Sequence, residues 1–91
     1  MTLDLFGRPA LLFLPASNPR AIAKARESAA DLVVLDLEDA VKAADKDRAR
    51  AEAVAAVADD WPMPVGIRVN GIGDPHHAAD LSAVLGSACD F

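Results

Sequence analysis

Three short apolar runs divide the chain: Ala10-Leu11-Leu12-Phe13-Leu14, Leu32-Val33-Val34-Leu35-Asp36-Leu37 and Val65-Gly66-Ile67-Arg68-Val69. Each has the length of a strand. The first two are apolar almost without interruption, the pattern of strands buried on both faces of a parallel sheet. The stretches between them read as helices. Asn18-Pro19 sets a capping residue before a proline at the first helical position, and Ile22, Ala25 and Ala29 recur at helical spacing until Asp31. From about Asp45 to Asp59, Ala49, Ala53, Val54, Val57 and Ala58 form an apolar stripe opposite Lys46, Arg48, Arg50 and Glu52, and Trp61-Pro62 closes the segment. Asp74-Pro75 repeats the opening device of the first helix ahead of Ala78, Leu81, Val84 and Leu85, and Gly86 ends it.

Strand, helix, strand, helix, strand, helix is the order of an α/β fold joined by right-handed parallel crossovers. Three parallel strands leave open hydrogen-bonding edges that proteins normally cover or close. A (β/α)8 TIM barrel takes about 250 residues. The 91 residues therefore fit a partial barrel, its first three βα units, and residues 1–91 are expected to form a single N-terminal segment that stops before a fourth strand.

Composition narrows the partners. A formal charge of −5, from 9 Lys and Arg against 14 Asp and Glu, argues against neutralising nucleic-acid phosphate or coating an anionic membrane. The single cysteine, Cys89, has no internal partner for a disulfide, which makes a reducing cytoplasm the expected compartment. The opening MTLDLFGRPALLFLP holds an apolar stretch flanked by Asp4 and Arg8 that is too short for a signal sequence or a membrane span.

The second strand runs directly into three carboxylates, Asp36, Glu38 and Asp39, for which packing gives no reason. Alternation along the strand puts Val34, Asp36 and Glu38 on one face and Leu35 and Leu37 on the other. Asp36 and Glu38 then point into the barrel at its carboxyl-terminal rim, where barrel enzymes place their active sites. Clustered acids raise one another's pKa unless a cation or an arginine sits among them. A hydrated divalent metal such as Mg²⁺ would serve; in the bland alternative Glu38 and Asp39 cap the next segment and Asp36 pairs with a lysine or arginine. Arg68 and Asn70 end the third strand on the face of Gly66 and are both candidates to bind substrate, the planar fork of the arginine suiting a carboxylate, enolate or phosphate. Equally, Arg68 could be the structural partner of Asp36.

In the first unit, Leu14 to Arg20 passes from strand to helix amino terminus, a place that attracts anions, and Arg20 and Lys24 add positive charge one helical turn apart. They could receive a phosphate of a nucleotide-like cofactor, or simply face solvent. The adjacent His76 and His77 cannot share a helix face and are not read as metal ligands. Cys89 reads as a spectator, and Ser17 lacks the surroundings of a nucleophile.

With LFLPASNPR, LVVLDLEDAV followed by KDRAR, and VGIRVNG in this order and spacing, the chain resembles the start of the citrate lyase beta-subunit family. This is the CoA-ester lyase branch of the HpcH/HpaI aldolase superfamily, which also includes malyl-CoA lyases. The resemblance covers essentially all 91 residues and the first third of a family member. It implies a TIM barrel of the phosphoenolpyruvate/pyruvate type, trimeric or a dimer of trimers, that breaks or forms a carbon–carbon bond beside a thioester or 2-oxo acid, with Mg²⁺ stabilising an enolate. On this reading the substrate is a short 3-hydroxyacyl-CoA of the citryl or malyl type. Arg68 resembles the arginine that binds substrate and enolate oxygens. Asp36, Glu38 and Asp39 resemble the acidic cluster that holds waters around the metal, whose direct ligands lie on later strands. The Pro15 to Lys24 region resembles the part of the family near the CoA nucleotide, which assigns Arg20 and Lys24 to CoA. Two alternatives accompany this expectation. One is a non-catalytic truncated domain that associates with itself or with a full-length paralogue; the other is a CoA-independent 2-oxo-acid aldolase of the same superfamily. Residues 1–91 by themselves are expected neither to bind Mg²⁺ tightly nor to cleave a CoA ester.

Overall fold

The computed structural model describes residues 10–39 and 41–91. The segment carrying Asp4 and Arg8, and Ala40 in the acidic turn, lie outside the described residues. The elements are β1 (Leu11–Pro15), α1 (Pro19–Arg26), β2 (Leu32–Asp36), a single 3₁₀ turn (Ala43–Asp45), α2 (Lys46–Val57), β3 (Val65–Arg68) and α3 (His77–Leu85). The strands are all parallel and lie in the order β1-β2-β3. Each new strand joins the edge of the one before it, which is how a barrel wall grows; a doubly wound sheet reverses its order partway.

The register puts Phe13, Val34 and Gly66 in one row and Pro15, Asp36 and Arg68 in the next-but-one row, at the carboxyl ends. Alternation sends Leu14, Val33, Leu35, Val65 and Ile67 to the opposite face, where they pack with Leu37 and with Ile22, Ala25, Ala49, Ala53 and Val57 of the helices. Leu35 and Leu37 are essentially sealed from water, worth about 1.5–3 kcal/mol each in buried apolar surface. The alanines at 49 and 53, one helical turn apart, let α2 lie close to the sheet.

Helix ends differ from the sequence pattern because side chains set them. Asn18 accepts a hydrogen bond from the Ala21 amide at 3.0 Å and opens α1 at Pro19. The helix stops at Arg26, well short of Asp31. The Ser28 hydroxyl donates to the Ala25 carbonyl at 2.7 Å and closes the last turn, and Asp31 is drawn to the sheet, accepting from the Ala10 amide at 2.7 Å. α2 ends at Val57, where the Trp61 indole N–H caps the Ala56 carbonyl at 2.9 Å. Asp74-Pro75 forms a turn before α3 and does not cap it directly: Asp74 accepts from the amide of His76 through its carboxylate and from that of His77 through its carbonyl. Among the described residues no helix is long and apolar enough to cross a membrane.

The last residues run beside the open edge of β3. The Asp90 amide donates to the Val65 carbonyl at 2.8 Å and the Ile67 amide to the Phe91 carbonyl at 3.1 Å, while the Asp90 carboxylate accepts from the Val65 amide at 2.9 Å. The Phe91 ring lies flush on Gly66, where an added Cβ would collide with the ring and come within 2.7 Å of the Phe91 carbonyl oxygen. Gly66→Ala is therefore expected to displace Asp90 and Phe91 and to cost about 1–3 kcal/mol, the usual penalty of overpacking. Urea unfolding and hydrogen exchange at the Ile67 amide measure it; an unchanged midpoint with a still-protected amide would contradict this reading of the contact.

Candidate active site at the carboxyl-terminal rim

The site grows from one row of the sheet. At the end of β2, Asp36 is 2% exposed, a position too dry for an unpaired carboxylate. Arg68, directly opposite on β3, meets it fork to fork: Nε donates to Oδ1 at 2.8 Å and Nη2 to Oδ2 at 2.9 Å. Charge-assisted bidentate pairs of this kind fix orientation as well as charge. The guanidinium also lies over the Phe13 ring, 5.3 Å from its centroid, which adds a cation–π contact across all three strands.

The two remaining acids surround the same guanidinium at longer range. Glu38 Oε1 lies 3.9 Å from Arg68 Nε, and Asp39 Oδ2 lies 3.7 Å from Nη2. Exposure rises from Asp36 through Glu38 to Asp39, whose side chain is 81% exposed. The hydrogen bond to Asp36 holds the Arg68 pKa above its ordinary value, against the opposing effect of desolvation, with further help from the charges of Asp36, Asp39 and Glu38. Among the described residues three carboxylates thus gather around one guanidinium. Nε and Nη2 are committed to Asp36, and Nη1 has no hydrogen-bond partner among the described residues.

Among the described residues no three His, Cys, Asp or Glu side chains converge to ligate a metal directly. Glu38 and Asp39 are half-exposed and exposed acceptors held beside a cation, which suits them to receive waters of a hydrated ion and not to enclose a bare one.

Asn70 is not on the surface. It is 1% exposed, its Nδ2 donating to the Leu37 carbonyl and the Asp80 carboxylate and its Oδ1 accepting from Lys46 at 2.6 Å. The amide expected to touch substrate is instead spent on bracing β3 to its neighbours. Arg20 and Lys24 are exposed on α1, which leads away from the carboxyl end of β1. Cys89 is half-buried against the core. The ring of His77 bonds through Nδ1 to the Asn70 carbonyl at 2.7 Å, while His76 Nδ1 accepts from Arg50 at 3.2 Å.

The amphipathic pattern of α2 concealed a second set of polar residues beneath this row. Lys46 and Arg50 belong to its charged side, yet both turn toward the strand ends. Arg50 Nε donates to Asp80 Oδ1 at 2.8 Å with its side chain only 17% exposed. Asp80 itself is completely buried. Burial pushes the Asp80 pKa up, but the Asn70 amide N–H, the Arg50 guanidinium and the Asn70 side chain outweigh it and hold the carboxyl below its ordinary value. An acid inside the apolar run Ala78 to Leu85 was the available signal for such a buried pair.

The HpcH/HpaI aldolase/citrate lyase family matches residues 9–91. The chain belongs to that family. Within the HpcH/HpaI aldolase/citrate lyase family, it is 35% identical over 86 residues to citrate lyase subunit beta of Leuconostoc mesenteroides subsp. cremoris, covering 91% of this chain and 28% of that protein. It is 40% identical over 81 residues to an L-malyl-CoA/beta-methylmalyl-CoA lyase of Cereibacter sphaeroides, covering 87% and 26%. The chain thus spans about a quarter of the length of these relatives. The fold agrees with that of the protein CitE from Mycobacterium tuberculosis in complex with magnesium and acetate, at a TM-score of 0.76 and 38% identity over 97% of this chain and 36% of that one. A second CitE structure, holding magnesium, acetoacetate and coenzyme A, matches at a TM-score of 0.75 and 41% identity over 88% and 29%. The three βα units accordingly correspond to the amino-terminal part of the CitE barrel.

Proposed function

We propose that the chain supplies the amino-terminal rim of the active site of a carbon–carbon lyase acting on a short 3-hydroxyacyl-CoA. The observation that carries this reading is the Arg68 fork, locked by Nε and Nη2 to buried Asp36, with no partner to Nη1 among the described residues and two further acids beside it. The names of the relatives, a citrate lyase subunit and a malyl-CoA lyase, point to the same chemistry.

In this reaction the 3-hydroxyl loses a proton and the bond between C2 and C3 breaks. The electron pair moves onto the thioester as an enolate, which is then protonated, and the other product is a carbonyl compound. The free edge of Arg68 binds the oxygens on which charge sits, and a donor fixed before the charge develops needs no rearrangement when it does. Asp36 orients that fork and keeps it from swinging toward solvent. Mg²⁺, when bound, would supply further positive charge to stabilise the enolate. Glu38 and Asp39 would accept hydrogen bonds from the waters of that ion, and Arg20 and Lys24 would receive CoA phosphates. On the face of the sheet turned away from the described helices Leu11 and Phe13 are about half exposed, which fits a working enzyme that covers this face with further structure, a homo-oligomer of the cytoplasm.

The test is to give the native polypeptide citryl-CoA and malyl-CoA with and without Mg²⁺ and to follow thioester products. Mg²⁺-dependent cleavage of either ester is the expected result. Cleavage of a free 4-hydroxy-2-oxo acid with no action on any CoA ester would overturn the assignment in favour of the CoA-independent branch.

A further inference from the structure

Among the described residues Lys46 pairs with no carboxylate. Its ammonium donates to the carbonyls of Leu37 at 3.0 Å and Glu38 at 3.1 Å and to Asn70 Oδ1 at 2.6 Å, which uses all three of its protons. Both carbonyls belong to the acidic turn. The peptide unit between Leu37 and Glu38 is therefore held from two sides: its oxygen accepts from Lys46 and from Asn70 Nδ2 at 3.0 Å, and its N–H donates to Asp36 Oδ1 at 2.9 Å. That same Oδ1 accepts from Arg68 Nε. A continuous chain of hydrogen bonds leads from the Lys46 ammonium through one peptide plane to the Asp36 carboxylate and the Arg68 guanidinium. A cation on the carbonyl end polarises the peptide and strengthens the N–H as a donor at the other end.

We propose that Lys46 is a positioning residue for the rim: through the Leu37–Glu38 peptide it fixes the Asp36 carboxylate that orients Arg68, and it holds the backbone from which Glu38 projects. α2 thereby sets the geometry of two strands whose ends it does not itself form. The linkage is a property of the folded chain, and only its effect on turnover rests on the proposed lyase reaction.

Lys46→Met in the native polypeptide keeps the stem and removes the ammonium. Hydrogen exchange at the Glu38 amide and at Arg68 Nε–H is expected to speed by about tenfold, the worth of one hydrogen bond. The Val33 amide in the middle of β2 is the internal reference and should keep its protection. If the enzyme cleaves a CoA ester, kcat falls with KM little changed. Unaltered exchange at both Glu38 and Arg68 in a folded Lys46→Met protein would overturn the proposal. Should that variant not fold, the wild-type protein decides: a through-hydrogen-bond NMR correlation from Lys46 Nζ to the Leu37 carbonyl carbon supports the linkage, and its absence in a spectrum that shows other such correlations refutes it. A wild-type protein without lyase activity would refute the proposed reaction, while the exchange result would still judge the linkage.

Discussion

Arg68→Lys in the native polypeptide is expected to lower kcat for CoA-ester cleavage by about 100- to 1,000-fold, the range seen when one preorganised donor is lost from a charge-stabilising site. Lysine keeps the charge that Asp36 requires, so folding is spared. It cannot keep the fork. An ammonium gathers its three donors on one atom and has no planar edge, so it cannot hold Asp36 bidentately and present further in-plane donors to substrate in a fixed direction. In the wild type, Nε and Nη2 serve Asp36 while Nη1 has no partner among the described residues, a division of labour suited to a planar guanidinium. Steady-state kinetics together with circular dichroism measures the outcome. Retention of most of the wild-type kcat would mean that Arg68 is the structural partner of Asp36 and nothing more.

Asp80→Ala is expected to cost about 3–5 kcal/mol, the penalty of removing one partner from a buried pair. A small domain has only about 5–15 kcal/mol in hand. Asp80 accepts from the Asn70 backbone amide at 2.9 Å, from the Asn70 side chain and from Arg50, and it is wholly out of water. Its removal leaves Asn70 donors buried with nothing to receive them and Arg50 without its nearest anion. The sign of the pH effect follows from the lowered pKa. A carboxyl held below its ordinary value contributes its full stabilisation above the unfolded pKa of about 3.9, and that contribution is lost as pH falls through the lower folded value. The stability gap between wild type and Asp80→Asn should therefore be constant from neutral pH down to about pH 5 and shrink below pH 4. A gap that widened on acidification would show that Asp80 is protonated in the folded protein.

The strands were legible because each is an apolar run, and the structure shifts them by only a residue or two: the first run, Ala10 to Leu14, becomes Leu11–Pro15. The parallel order followed from the helices between them. Helix ends were less legible, since a Ser28 hydroxyl and a Trp61 indole terminate α1 and α2 through bonds that no periodicity encodes. At the rim, the acids and Arg68 stood out because charge at the end of a buried strand demands a partner. Lys46 and Arg50 did not, because a charged residue on an amphipathic helix is ordinarily assigned to water. Among their partners are Asn70 and Asp80, 24 and 30 residues further along the chain. The rule that charges face solvent holds for a helix taken alone and fails when another element brings the counter-group.

The two ends of the sheet are fastened by different chemistry. At the amino-terminal end, the Asp31 carboxylate ties the start of β2 to the Ala10 amide of the neighbouring strand, and the proposed reaction asks nothing of that bond. At the carboxyl-terminal end, the residues that join one unit to the next are the same ones that shape the rim. Evolution can tune stability at the lower end without disturbing chemistry at the upper. An upper-end change is tried against both at once, which restricts new substrate preferences to loops and side chains outside the Lys46, Asn70 and Asp80 lattice.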